Sequence, residues 1–139
     1  RGRACGWAPE ARAARIARAA LESVAYQTND VMEAMTQDGG GLVTTLRVDG
    51  GMAANDWFCQ FLADILQAGV ERPTHLETTA TGAAFLAGLA CGVWTDLDDV
   101  AARWSRGRVF EASMEDAQRR TMLDGWRQAV RRTLTPKAA

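Results

Sequence analysis

Apolar residues recur at helical spacing along the first quarter of the chain. From Pro9 to Met35 the sequence is rich in alanine, arginine, leucine and glutamate, with apolar side chains near every third or fourth position. Pro9 suits the first turn of a helix, and the stretch QDGGG at residues 37–41 ends the pattern. The pattern therefore predicts a long amphipathic helix over residues 9–35.

A strand and a second helix are predicted next. Residues 41–48, GLVTTLRV, are β-branched and alternate loosely, which predicts a strand buried in a sheet. Residues 55–68 carry apolar side chains along one helix face, whereas Asp56, Gln60 and Asp64 lie on the opposite face, where we expect solvent. The apolar face, which we expect to pack on the sheet, consists of Phe58, Phe61, Leu62, Ile65 and Leu66.

The remaining residues continue the alternation of helix and strand patterns. GVERP predicts a short strand ended by Pro73, and the threonines among residues 78–81 are candidate caps of a helix that runs through Gly92. The small residues of that helix favour close packing against a neighbour. Further along we expect a short helix in TDLDDVAARW capped by Thr95 or Asp96, an extended segment GRVFEAS, a last helix over residues 114–134 and a frayed tail over residues 135–139.

Length and charge narrow the classes of function. The 139 residues suit one domain, and a formal net charge of -1 gives no overall attraction to nucleic acid or to an anionic membrane. The longest apolar stretch, residues 82–94, is shorter than the roughly 20 residues that a membrane span needs. The chain begins with Arg1 and its first ten residues have no apolar signal-peptide core, so we expect a piece of a longer protein.

Cysteine and histidine offer little chemistry. The three cysteines are odd in number and widely spaced, which fits neither a disulfide framework nor a zinc site and favours a cytoplasmic location. Cys59 and Cys91 fall within apolar helical patterns, where we expect buried side chains. His75 is the single histidine, and we expect it in a surface loop rather than as a base or a metal ligand.

The junction LRVDGGMAANDW joins the predicted strand to the predicted helix. Glycines at the carboxyl end of a strand let a ligand approach the backbone, and the following helix presents free N–H groups. A plain tight turn is the more frequent reason for two glycines between a strand and a helix, and the lysine of a phosphate-binding loop is absent. Asn55 either caps the helix or bonds a ligand, and Asp49 either makes a structural hydrogen bond or faces a bound magnesium ion.

Four blocks, in this order and spacing, resemble the FGGY family of carbohydrate kinases, in its glycerol kinase branch. They are ALESVAYQTNDVMEAM, LRVDGGMAANDWFCQFLADILQAGVERP, ETTATGAAFLAGLACGVW and GWRQAVRR. The resemblance covers residues 6–132, and the segment GWAPEARAARIARAALE departs from the family signature at Trp7, at Arg15 and in APEA. Residues 1–139 are thereby predicted to form a partial carboxyl-terminal FGGY kinase domain.

The resemblance implies a fold and a set of ligands. It implies an α/β fold, a partial actin-like (ribonuclease-H-like) ATPase domain with helices packed on a small mixed sheet. It also implies that Gly51 and Asn55 contact the adenosine part of ATP, with Gly50 and Asp49 as weaker candidates that shape the turn. The implied reaction is transfer of the γ-phosphoryl group of magnesium ATP to glycerol, which gives glycerol 3-phosphate.

The same resemblance implies that the other ligand-binding and catalytic residues lie upstream of this chain. The phosphate-binding loop, the glycerol-binding residues and the catalytic base precede the matched portion in the family, so we name no catalytic residue and no metal ligand here. We expect the 139-residue chain alone to be inactive, because phosphoryl transfer depends on groups positioned across a cleft. A non-catalytic nucleotide-binding or interaction module, and a kinase for another polyol or sugar, stay open as alternatives, as does homo-oligomerisation.

Overall fold

A computed structural model describes residues 13–134 of the chain. Within this range five α-helices alternate with three short strands, as the sequence pattern predicts. The first four predicted helical residues, 9–12, and the predicted frayed tail, 135–139, lie outside the described residues. The elements are α1 (Ala13–Met35), β1 (Thr45–Arg47), α2 (Asp56–Leu66), β2 (Gly69–Pro73), α3 (Thr78–Ala90), α4 (Leu97–Ala101), β3 (Arg106–Phe110) and α5 (Asp116–Thr133).

The three strands form one mixed sheet in the order β1-β2-β3. β1 pairs with β2 in parallel, and β2 pairs with β3 in antiparallel fashion. Leu46 lies beside Val70, and Val70 lies beside Phe110, so these three side chains form one row on one sheet face. Since α2 connects two parallel neighbours, the carboxyl ends of β1 and β2 meet at the same edge of the sheet.

The core lies between this row and the helices α1, α2 and α5. Ile65, Val70 and Cys59 are its largest completely buried side chains. Tyr26 of α1 meets the edge of Phe61 at 5.7 Å and stacks on Trp126 of α5 at 5.5 Å between ring centroids. The buried set is Ala25, Tyr26, Ala53, Phe58, Cys59, Phe61, Leu62, Ala63, Ile65, Val70, Phe110 and Leu123.

The strand predicted over residues 41–48 is shorter and more exposed than expected. β1 contains three residues, of which Thr45 and Arg47 are exposed and Leu46 is half-buried. The physical reason is its position, because β2 is its single partner among residues 13–134 and β1 is therefore an edge strand. The alternating pattern of residues 41–48 therefore belongs to a strand at the edge of the sheet and not to one in its interior.

Asp64 contradicts the expectation that all polar residues of α2 face solvent. Its side chain is buried, and Oδ1 accepts hydrogen bonds from the backbone N–H groups of Ser113 at 2.7 Å and Met114 at 3.1 Å. Gln60 donates to the same oxygen at 3.2 Å. Asp64 thus satisfies two backbone donors of the segment that enters α5, which offsets the cost of burying a carboxylate.

The α3 region differs from its prediction in two further ways. The residue before the helix is Glu77, and no threonine caps it: Thr78 donates its hydroxyl to Asp49, and Thr81 donates to the Glu77 carbonyl. Cys91, expected to be buried, is exposed because it follows the last residue of α3. Within residues 13–134 we find no helix that combines the length and apolar composition needed to span a bilayer.

Alkylation should separate the native state from the unfolded state at Cys59. Burial raises the pKa of its thiol, so Cys59 is a neutral thiol at neutral pH as well as inaccessible. We expect iodoacetamide to leave Cys59 unmodified in the folded protein and to modify it together with Cys91 in urea, as measured by peptide mass mapping. Equal alkylation rates of Cys59 in buffer and in urea would contradict its burial.

Candidate functional site

The candidate site lies at the sheet edge where β1 and β2 end. After Arg47 the chain passes Asp49 and Gly50 and makes a tight 3-10 turn over residues 51–54 before α2 begins. Gly50 has φ of 77°, a left-handed conformation that glycine adopts without the penalty other residues incur. Its N–H donates to the Leu76 carbonyl at 3.2 Å, which ties the turn to the loop before α3.

Gly51 lies on the outer surface of this turn. It is exposed, and a Cβ atom built on it would meet no heavy atom within 4 Å. Its φ is not in the left-handed region, so the fold itself does not require a glycine there. The bare backbone of Gly51 is therefore free for close approach by a ligand.

Asn55 is the N-cap residue of α2. Its Oδ1 accepts a hydrogen bond from the backbone N–H of Phe58 at 3.2 Å, which confirms the capping alternative. The cap leaves the Nδ2 amino group without a hydrogen-bond partner among residues 13–134. Capping and ligand binding are thus compatible, since the cap holds the amide in one orientation while Nδ2 stays available as a donor.

Asp49 accepts a hydrogen bond from the hydroxyl of Thr78 at the first turn of α3. The sequence left two roles open for Asp49, a structural hydrogen bond and a contact with magnesium, and this contact is the structural hydrogen bond. Among the described residues no three histidine, cysteine, aspartate or glutamate side chains come close enough together to hold a metal ion. Asp49 therefore joins the turn to α3, and residues 13–134 supply no protein cage for a metal.

Three charged residues next to the turn are connected in a way that the sequence did not indicate. Asp56 accepts from Arg72 at 2.7 Å through one carboxylate oxygen and from Arg108 through the other. The hydrogen bond from Arg72 lowers the pKa of Asp56, and the charge of Arg108 acts in the same direction. Asp56 is therefore ionised at neutral pH, and the stabilisation that this bridge gives is lost only as the pH falls through the lowered pKa.

A recess adjoins the turn on the side of β2 and β3. Its volume is about 290 Å³, near the lower end of the range found for ligand pockets. His75 lies outside its lining and is exposed in the loop after β2, as expected. The recess is lined by Ala54, Arg72, Pro73, Thr74, Leu76, Gly107 and Arg108.

Curated relatives match almost the whole chain. A glycerol kinase of Gluconobacter oxydans is 59% identical over 138 residues, which cover 99% of this chain and 27% of the relative. A glycerol kinase of Rhodospirillum rubrum is 50% identical and covers 91% of this chain and 28% of the relative. The chain thus spans about a quarter of the length of the curated relatives that it matches.

Solved structures share the fold. A Plasmodium falciparum glycerol kinase with ADP superposes with a TM-score of 0.74 at 36% identity, over 95% of this chain and 26% of that one. A xylulose kinase of Rhodospirillum rubrum gives a TM-score of 0.70 at 24% identity, over 94% of this chain and 27% of that one, which concerns the fold alone. These similarities confirm the predicted fold class, a partial actin-like ATPase domain with helices on a small mixed sheet.

The family model for the FGGY family of carbohydrate kinases, C-terminal domain, matches residues 1–91, which include the strand, the turn and α2. The resemblance seen in the sequence is thereby confirmed. The chain belongs to the FGGY family of carbohydrate kinases and corresponds to its C-terminal domain.

Proposed function

We propose that this chain is the ATP-binding carboxyl-terminal part of a glycerol kinase. The full-length enzyme transfers the γ-phosphoryl group of ATP to a hydroxyl of glycerol and gives glycerol 3-phosphate in glycerol catabolism. The observation that carries the proposal is the turn after β1, which begins at the exposed Gly51 and ends at Asn55, whose amino group has no partner among residues 13–134. The 59% identity to a glycerol kinase supports the choice of glycerol.

The two residues have separate tasks in this proposal. Gly51 lets the adenosine part of ATP approach the backbone, because no Cβ occupies the space above it. Asn55 donates from Nδ2 to an acceptor of the nucleoside, while its Oδ1 stays on the Phe58 N–H. Gly50 and Asp49 are the weaker members of the site and set the path of the turn.

Magnesium enters the proposal with the nucleotide. Mg²⁺ is held in many kinases chiefly by phosphate oxygens, water and one or two carboxylates, rather than by a protein cage. The segment between β1 and the turn contains one carboxylate, that of Asp49, which accepts the hydrogen bond from the Thr78 hydroxyl. We therefore assign no metal ligand to these residues.

Surface chemistry supports the proposal that the chain is packed against further polypeptide in the working enzyme. Leu86 of α3, Val93 and Leu97 are 68%, 63% and 70% exposed. β1 is also an edge strand, and both features are unfavourable in water when they remain uncovered. A self-sufficient binding module would be expected to cover such surfaces.

The remaining parts of the proposal follow from the reaction. The catalytic base and the glycerol-binding groups lie in other parts of the full-length enzyme, and the reaction takes place in the cytoplasm, where ATP is the phosphoryl donor. The mechanism needs no nucleic acid, and it leaves the oligomeric state open. What residues 13–134 supply is a pre-formed nucleotide contact, which contributes positioning rather than proton transfer.

An assay of phosphoryl transfer tests the proposal. We expect the purified full-length protein to form glycerol 3-phosphate from glycerol, ATP and Mg²⁺, and the 139-residue chain at equal concentration to form none. Xylulose and gluconate serve as competing acceptors in parallel reactions. Faster turnover of xylulose or gluconate would identify that compound, rather than glycerol, as the substrate. ADP binding without turnover of any acceptor would favour the non-catalytic module.

A further inference from the structure

Arg72 of β2 contacts the inner side of the turn. Its Nη1 donates to the carbonyl oxygen of Ala53 at 2.9 Å and approaches that of Ala54 at 3.4 Å. Both carbonyls belong to the short stretch between Gly51 and Asn55. The guanidinium group thus binds the backbone of the turn through its carbonyl groups.

The position of Arg72 is itself fixed by its surroundings. Its side chain is 18% exposed, and the same Nη1 donates to Asp56 at 2.7 Å. The guanidinium carbon also lies 5.4 Å from the centre of the Phe110 ring, an arrangement typical of a cation over an aromatic face. A guanidinium group that is held by a strand, a carboxylate and a ring has little freedom to leave the turn.

The turn depends on few other contacts of comparable kind. Its internal backbone bonds join Ala53 N–H to the Gly50 carbonyl and Asn55 N–H to the Met52 carbonyl, each at 3.1 Å. Among the described residues, the Cys59 thiol is the other side chain that reaches the Ala53 carbonyl, at 3.3 Å, and a thiol is a weak donor. Arg72 is therefore the charged side chain that holds the carbonyls in place.

We propose that Arg72 is a positioning residue for the adenine nucleotide and acts through the backbone of the turn. It fixes the turn so that the Gly51 backbone and the Asn55 amino group face the ligand before the ligand arrives. Preorganisation of this kind lowers the cost of binding and strengthens affinity. This inference rests on the proposed function and adds to the proposed site a residue of β2.

Arg108, which lines the same recess as Arg72, provides the matched control. It binds the same carboxylate of Asp56 and lies over the same Phe110 ring, at 4.7 Å, but it has no hydrogen bond to a carbonyl of the turn. Replacing either arginine with methionine removes one partner of Asp56 and one cation over the ring. Only the replacement of Arg72 also removes the contact with Ala53 and Ala54.

Calorimetric titration of the full-length protein with ADP tests the inference. We expect Arg72→Met to raise the Kd for ADP by at least about tenfold and Arg108→Met to change it by less than about twofold. Arg72→Lys should give an intermediate Kd, because one ammonium group does not reproduce the planar guanidinium fork. In the kinase assay the KM for ATP should rise while the KM for glycerol stays within about twofold.

The outcomes separate this inference from the proposed function. An unchanged Kd in a folded Arg72→Met protein, or equal effects of the two methionine variants, would overturn the role of Arg72. If Arg72→Met does not fold, the lysine variant decides, and wild-type affinity in that variant would overturn the role as well. A wild-type protein that binds ADP without phosphorylating glycerol would refute the kinase proposal alone, and one that does not bind ADP would refute both.

Discussion

Replacing Gly51 with leucine should raise the KM of the full-length protein for ATP by at least about tenfold, a loss of roughly 1.4 kcal/mol or more of binding free energy. The new side chain would meet no protein atom near its Cβ and would instead occupy the space above the turn. The KM for glycerol should stay within about twofold. Steady-state kinetics with each substrate varied in turn measures both constants.

Gly50 supplies a control for strain in the same turn. Gly50→Ala places a side chain at a φ of 77° and should lower the free energy of unfolding by about 1 kcal/mol. The methyl group should not fill the space above Gly51. Gly51→Leu should leave the melting temperature nearly unchanged, because its φ is ordinary. Equal loss of affinity for ATP and glycerol in the leucine variant would mean that Gly51 is a structural residue, and the nucleotide assignment would fail.

Replacing Asp64 with alanine should reduce the free energy of unfolding by about 2–5 kcal/mol. The change removes the charged acceptor of two hydrogen bonds, from the N–H groups of Ser113 and Met114, each worth roughly 1.5–3 kcal/mol. Water offsets part of this loss, because Ser113 is exposed. Chemical denaturation of the full-length protein measures the loss, and hydrogen exchange at these two amides locates it. Both amides should exchange faster in the variant.

Asp64→Asn is the matched variant, because it keeps one carbonyl oxygen in the same place. It should cost clearly less than the alanine change, since the acceptor remains and only the charge that strengthens the bonds is lost. Equal costs for both variants would show that the two amides do not depend on this oxygen. The burial of Asp64 would then need another explanation.

Local features of the fold were predictable from the sequence. The apolar stripe of α2 and the end of β2 at Pro73 depend on residues only a few positions apart. The same holds for the cap of α4, which is Asp96, one of the two residues expected. The main features of the candidate site are local in the same sense: Gly50 and Gly51 follow a strand, and Asn55 precedes a helix. Spacing and turn chemistry are sufficient to find such elements.

Contacts between distant residues were not predictable in this way. Asp64 and Ser113 are 49 positions apart, and Asp56 and Arg108 are 52 apart, yet each pair is joined in the fold. In the sequence Asp56, Asp64 and Arg108 are indistinguishable from charges on a solvated face. The bridge at Asp56 follows from the pairing of β2 with β3, which brings Arg72 and Arg108 beside each other.

The crystal structure of the full-length protein with ADP is the most direct test of the nucleotide contact. We expect adenosine in contact with the Gly51 backbone, a hydrogen bond from Asn55 Nδ2 to the nucleoside, and the Phe58 N–H still bound to Asn55 Oδ1. ADP bound at another place, with the turn after β1 open to solvent, would show that Gly51 and Asn55 are not the nucleotide site.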